Sequence, residues 1–341
     1  MKDGENKNSL WDQPLPKEDL EQSSSDQTEQ SPSQFRRIDD EAYIGNGEED
    51  TKSRLVPDGL PEIGVWGTRA SGKTTFLGML YLQAVAKHGG FEFIVAQPPA
   101  VSQEQHEWTV DFVANAKETM RDRGEFLEAT QKPMEFVFQV SRIVGDRQPQ
   151  ISLLRLIDRP GEYYNPKSTE HNAATLQETT DELAKSQGIL CLLDMERILG
   201  ASGRNPDGYF REFVHLFSKL PRNPQDGKVI QPVVLCLNKA DLCWDYYQIN
   251  GFTADQVFEN HVDEFTRREI SRYLASDRLK VCLCSAIGTV EDEHGRLRPN
   301  VIQIPGPENE PKFRIARPDR ITPHNLFEPM DWLFDRLYGK R

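Results

Sequence analysis

Ile63-Gly64-Val65-Trp66-Gly67-Thr68-Arg69-Ala70-Ser71-Gly72-Lys73-Thr74-Thr75 is the stretch whose reading decides the fold. Residues 63–66 are a short apolar run that predicts a strand, and residues 75–88 carry Phe76, Leu77, Leu80, Tyr81 and Val85 at the spacing of a helix face. Between them, Gly67 to Thr74 fits G-x-x-x-x-G-K-[ST] without a mismatch. The chemistry follows from the strand–loop–helix context. Glycines let the backbone wrap a phosphate chain, with successive N–H groups pointing inward at the positive end of the helix. Lys73 then supplies a point charge to the outer phosphates, and the Thr74 hydroxyl can ligate Mg²⁺. Gly67, Ala70, Ser71, Gly72, Lys73, Thr74 and Thr75 are therefore the candidate phosphate contacts.

Outward from that loop the composition sets bounds. The chain has 341 residues and a formal charge of −13, with no basic stripe. That balance argues against nucleic-acid binding and against docking to an anionic membrane. No apolar run approaches the ~20 residues needed to span a bilayer, and MKDGENKNSL lacks the apolar core of a secretory signal. Cys191, Cys236, Cys243, Cys282 and Cys284 show no C-x-x-C spacing, and most lie in apolar runs, as small core residues of a cytoplasmic protein do. Residues 1–55 hold fourteen acids and seven bases among Ser, Gln and few large apolar residues. Such a segment cannot bury enough apolar surface to offset its ordering entropy, and a disordered acidic tail is expected. Phe35-Arg36-Arg37-Ile38 is its one candidate docking segment.

Downstream of the loop, a strand is expected at 91–96 and a helix at 101–121, with Trp108, Phe112, Ala116 and Met120 at four-residue spacing and Gly124 as its stop. Residues 135–140 and 151–157 read as two strands joined by the polar turn Gly145-Asp146-Arg147, hence an antiparallel pair. Strands at 188–193, 233–237 and 280–284 then alternate with helices at 210–220, 254–275 and 326–337. Thr253 and Gln256 stand in capping-box relation at the start of the long one. The order predicts an α/β fold: a mainly parallel sheet of six or more strands, one of them antiparallel, with helices on both faces.

Three further motifs each follow an apolar strand. Asp158-Arg159-Pro160-Gly161 closes the run at 151–157. An Asp at a strand end opposite the phosphate loop can hold Mg²⁺ through water, and Gly161 lets its N–H approach a terminal phosphate. Asn238-Lys239-Ala240-Asp241 closes Val-Val-Leu-Cys-Leu and fits N-K-x-D. The Asp241 carboxylate can accept from the N1–H and the amino group of guanine, whereas adenine offers an acceptor and no amino group there. Sites of this kind discriminate by roughly 10⁴-fold or more. Ser285-Ala286-Ile287 follows the strand at 280–284 and would close over the base.

In this order, Gly67 to Thr74, Asp158 to Gly161, Asn238 to Asp241 and Ser285-Ala286 resemble the G1, G3, G4 and G5 motifs of Ras-like, translation-factor-related P-loop GTPases. The resemblance covers about residues 60–341. It implies a Ras-like G domain at 56–341, enlarged by insertions near 91–125 and 243–279. It also implies GTP/GDP binding with Mg²⁺ and two switch segments. It assigns phosphates to Lys73, Mg²⁺ to Thr74 and Asp158, γ-phosphate sensing to Gly161, and guanine to Asn238 and Asp241 with Lys239 packed on the base. The G2 threonine it requires is best placed at Thr130. The closing stretch Asn325-Leu326-Phe327-Glu328-Pro329-Met330-Asp331-Trp332-Leu333 is similar to that of the bacterial double-GTPase group.

Two residues depart from the small Ras-like pattern. Arg69 stands where a glycine usually approaches the γ-phosphate, and Glu162 where a water-orienting glutamine often sits. Arg69 either obstructs hydrolysis or reaches the transferring phosphoryl group as an arginine finger, alone or across a homodimer through the G domain. Lys73, Arg69, Thr130 and Glu162 are thus the candidate catalytic groups. His88, His171, His261 and His324 are isolated in sequence and expected as surface or capping groups, and Tyr163-Tyr164 falls in the expected second switch. The sequence reading is a cytoplasmic switch that hydrolyses GTP to GDP and is read by a protein effector. Its rival is a GTP-sensing scaffold with little or no turnover.

Overall fold

The run at 63–66 becomes β1 (Glu62–Gly67), the central strand of a seven-stranded sheet. The structure, a computed structural model, describes residues 60–67, 70–86, 90–128, 134–143, 148–158, 171–199, 206–305 and 311–339. The acidic tail, Thr68, Arg69, Thr130, Gly161, Glu162 and Tyr163-Tyr164 lie outside the described residues.

After β1 come α1 (Lys73–Val85), β2 (Phe91–Val95), α2 (Gln103–Ala116) with a π-helical turn at Lys117–Asp122, β3 (Met134–Arg142), β4 (Gln150–Asp158) and α3 (His171–Lys185). Next are β5 (Gly188–Asp194), α4 (Met195–Ile198), α5 (Pro206–Lys219), β6 (Val233–Asn238), α6 (Trp244–Asn250), α7 (Ala254–His261), α8 (Glu264–Tyr273) and β7 (Leu279–Leu283). Two small antiparallel pairs follow, β8 (Thr289–Glu291) with β9 (Leu297–Pro299) and β10 (Val301–Pro305) with β11 (Pro311–Ile315), before the closing α9 (Glu328–Tyr338).

The sheet order is β2-β3-β4-β1-β5-β6-β7. β3 pairs antiparallel with both β2 and β4, so it alone runs against its sheet mates. The remaining pairings, β4-β1-β5-β6-β7, are parallel. Side-chain alternation divides the interior into two cores, as the two-residue period of a strand requires. Ile63, Val65, Leu190, Leu192, Val234, Cys236, Cys282 and Cys284 face α1, α2 and α9. Trp66, Ile189, Cys191, Leu193, Val233, Leu235, Val281 and Leu283 face α3 and α5–α8. A strand buried on both faces has to be apolar at every position, which is why β5 and β6 read as continuous runs.

The cysteines at 191, 236, 282 and 284 are buried free thiols in these cores, and Cys243 is half-buried. The helix expected at 101–121 forms and buries Phe112, Ala116 and Met120. The single helix expected at 254–275 is instead two. Val262 is extended and buried, and the Asp263 carboxylate caps a new helix by accepting the Thr266 N–H at 2.9 Å. The Thr253–Gln256 capping box forms as expected. Helix α3 was not expected: beyond its first turns only Thr179, Thr180 and Leu183 are buried, a weak apolar signal. Among the described residues, no helix is long and apolar enough to cross a membrane.

Candidate functional site at the carboxyl edge of the sheet

Every described motif residue lies at or just beyond the carboxyl ends of the parallel strands. Gly67 ends β1, Asp158 ends β4, Asp194 ends β5 and Asn238 ends β6. Register aligns them: Gly67 stands opposite Leu192 of β5, and Asp194 opposite Asn238. Val65 pairs with Leu156, and each strand ends two residues later, at Gly67 and at Asp158. Loops beyond the carboxyl ends of an open parallel sheet are where such folds bind ligands.

The described part of the glycine-rich loop turns tightly at two positions. Ala70 is left-handed at φ 62° and Gly72 at φ 81°, the latter as the N-cap of α1. Among the described residues no side chain caps that helix end, and no acid occupies its first turn, an arrangement that favours an anion at its positive end. Lys73 Nζ donates to the Gly67 carbonyl at 2.8 Å, so the buried ammonium lies over its own loop. A Cβ on Gly67 would come 2.6 Å from Ser71 Oγ and 2.9 Å from the Leu192 carbonyl, and one on Gly72 would come 2.7 Å from Asn238 Nδ2. Ser71 is fully buried, and among the described residues its hydroxyl has no hydrogen-bond partner. Thr74 and Thr75 follow on the first turn of α1, partly exposed.

The second cluster is built on β6 and β7. Asn238 is 2% exposed, and its Nδ2 donates to the Ser71 carbonyl at 2.7 Å. That bond joins two motifs 167 residues apart. Lys239 is left-handed at φ 63°, which starts a tight turn over Ala240–Leu242. The turn buries Asp241, whose Oδ1 accepts from Ser285 Oγ at 2.5 Å. Burial pushes the Asp241 carboxyl up to about 6, with the Ser285 hydrogen bond opposing the rise. Ser285 Oγ in turn accepts the Gly288 N–H at 2.9 Å, and Ala286 is buried beside it. The sequence-predicted Asn238, Lys239, Asp241, Ser285 and Ala286 thus form one continuous group, tied to the phosphate loop through Asn238.

The surroundings contain residues that the sequence reading did not single out. Asp194 and Glu196 hold the Lys239 ammonium at 3.1 and 3.4 Å. The missed signal was that Asp194 ends the apolar strand β5 as Asp158 ends β4 and Asn238 ends β6. His324 is neither a capping group nor exposed. It stacks flat on Trp244 with ring centroids 4.0 Å apart, hydrogen-bonds Thr289 Oγ1 at 3.0 Å, and exchanges two backbone hydrogen bonds with Ser285. Burial pushes its imidazole down to about 4. His261 hydrogen-bonds the Tyr247 hydroxyl at 2.7 Å.

The donor chemistry also suits a hard divalent cation. A threonine at position 74, on the first turn of α1, and an aspartate at position 158, at the end of β4, are residue types that offer the oxygen ligands Mg²⁺ takes.

The model of the Double-GTPase 2 family matches residues 62–283, more than half of the chain. No curated protein matches the chain. Among solved structures it is similar to the S. cerevisiae Ski7 GTPase-like domain bound to GDP and inorganic phosphate, at 18% identity over 83% of this chain and 51% of that one, with a TM-score of 0.39. The SRb-GTP/SRX complex of the signal recognition particle receptor from Chaetomium thermophilum matches at 17% identity over 67% of this chain and 92% of that one, with a TM-score of 0.36. The chain spans about half the length of the Ski7 chain it matches.

Proposed function

The chain belongs to the Double-GTPase 2 family, and from that premise we propose that it binds GTP and GDP and hydrolyses GTP to GDP as a nucleotide-dependent switch. One observation carries the reading: the Asn238 side chain joins the base-reading loop to the phosphate loop at 2.7 Å, with Asp241 buried beside it. A carboxylate has about four acceptor positions, so the bond from Ser285 leaves capacity for the N1–H and amino group of guanine. Lys239 packs on the base, and Ser285 and Ala286 close over it.

The phosphates fall to the backbone N–H groups of Gly67, Ala70, Ser71, Gly72, Thr74 and Thr75 and to the Lys73 ammonium. Thr74, Asp158 and Thr130 would hold Mg²⁺, which would neutralise charge on the outer phosphates. Lys73 stabilises the transferring phosphoryl group, Gly161 senses it, Arg69 acts on it as a finger, and Glu162 holds the attacking water. The protein works in the cytoplasm, as a monomer or a homodimer through the G domain, and an effector protein reads its switch segments. Arg69 and Glu162 also favour a second reading, a GTP-sensing scaffold with little turnover, because both replace residues that small Ras-like GTPases use.

Single-turnover GTP hydrolysis by the wild type and by Lys73→Ala tests the proposal. The wild type is expected to convert bound GTP to GDP. Lys73→Ala is expected to lose tight nucleotide binding while its circular dichroism stays that of the wild type. Tight GTP binding without conversion would select the scaffold reading, and an unchanged nucleotide affinity in Lys73→Ala would overturn the use of the loop.

A further inference from the structure

Lys239 is fixed at both ends. Its backbone adopts φ 63° and ψ 33°, a left-handed conformation unfavourable for a residue with a Cβ and kept only where the surroundings impose it. Its ammonium lies 3.1 Å from Asp194 Oδ2 and 3.4 Å from Glu196 Oε2. Asp194 closes β5 in register with Asn238, the residue before Lys239. Its side chain is only 2% exposed, and its Oδ1 accepts the Glu196 N–H at 3.0 Å, which fixes the second acid beside the same ammonium. Burial raises the Asp194 carboxyl and Lys239 opposes that rise. A buried carboxylate without its cation is costly, so the pair is mutually required.

We propose that Asp194, assisted by Glu196, is a positioning residue for guanine-nucleotide binding. The two acids hold the stem of Lys239 across the carboxyl edge of the sheet as the wall on which the base packs, while Asp241 reads the edge of the base. The inference rests on the guanine reading of Asn238-Lys239-Ala240-Asp241. A lysine ordered before binding loses less side-chain freedom when the ligand arrives. Releasing it therefore weakens binding, chiefly through faster dissociation. The recognition of the 2-amino group is separate and stays with Asp241.

The experiment measures GDP release by stopped flow, and GDP and IDP affinities, on the full chain and on Asp194→Asn, Glu196→Gln, Lys239→Met and the Asp194→Asn/Lys239→Met double variant. Asparagine keeps an oxygen for the Glu196 N–H and removes the charge. Release is expected to be about tenfold faster in Asp194→Asn and in Lys239→Met, and about two- to threefold faster in Glu196→Gln. The double variant is expected to be no faster than Lys239→Met, since Asp194 acts through that lysine. The ratio of GDP to IDP affinity stays at the wild-type value, which a merely collapsed base loop would not preserve. Independent, multiplying effects in the double variant overturn the inference, as does loss of the GDP-to-IDP ratio in Asp194→Asn. Release from Asp194→Asn within about twofold of wild type also overturns it. Should Asp194→Asn fail to fold, Glu196→Gln decides, and release at the wild-type rate then overturns the inference. A wild type that binds neither GDP nor IDP overturns the functional reading itself, and the inference with it.

Discussion

In the proposed reading base choice turns on Asp241, and the burial of that residue would give the choice a pH dependence. Burial holds its carboxyl at about 6, whereas guanine needs the ionised form. Below pH 6, binding must first release a proton, so GDP affinity is expected to fall about tenfold per pH unit there and to be flat above. Without nucleotide, the same raised value means that Asp241 supports the fold fully below its ordinary range, near pH 4, and that this support is lost as pH rises through 6. Asp241→Asn is expected to abolish the pH dependence, weaken GDP by at least about 10³-fold and admit xanthosine diphosphate. Calorimetric titration between pH 5 and 8 checks both, and a flat wild-type profile would contradict the role. The place of Asp241 beside Asn238 and Ser285 was legible in the sequence because N-K-x-D is a fixed spacing directly after an apolar strand. Asp194 was not, since a lone acid after an apolar run has no spacing to mark it; only register, by setting it beside Asn238 and Lys239, discloses its partner.

At the scale of elements, periodicity located the strands well, because β5 and β6 are buried on both faces and leave no polar position inside them. It misjudged 254–275 because the apolar spacing continues across a break that depends on tertiary burial of Val262 and on the cap at Asp263. The cap makes a direct prediction. Asp263→Ala is expected to cost about 1 kcal/mol of stability by leaving the Thr266 N–H unpaired, with nucleotide affinity unchanged, since α8 packs on α5 and carries none of the candidate site residues. Thermal melting with a parallel GDP titration measures both, and unaltered stability would show that the break is set by Val262 alone. The pairs β8–β9 and β10–β11 and helix α3 escaped the sequence reading for a simpler reason. The strands are three to five residues long with exposed positions, and α3 has too few buried apolar residues past its first turns to display a stripe.

For the whole molecule, the sheet order brings four separate stretches of sequence to one edge, and the motifs anticipated that convergence because each closes a parallel strand. The architecture was legible from strand–helix alternation, and the antiparallel pair expected at 135–140 and 151–157 is β3–β4; that the strand at 91–95 pairs with β3 at the edge of the sheet was not legible. The composition of residues 1–55 predicts that they add nothing to nucleotide binding. A chain starting at about residue 56 is expected to fold and bind GDP as the full chain does, by melting and titration; loss of folding would show that the tail is part of the domain. The central claim is that this edge is a guanine-nucleotide site, and one measurement addresses it most directly: titration of the full chain with GTP and with ATP, each in the presence of Mg²⁺. The account predicts that GTP binds at least about 10³-fold more tightly, and equal affinities for the two nucleotides would contradict it.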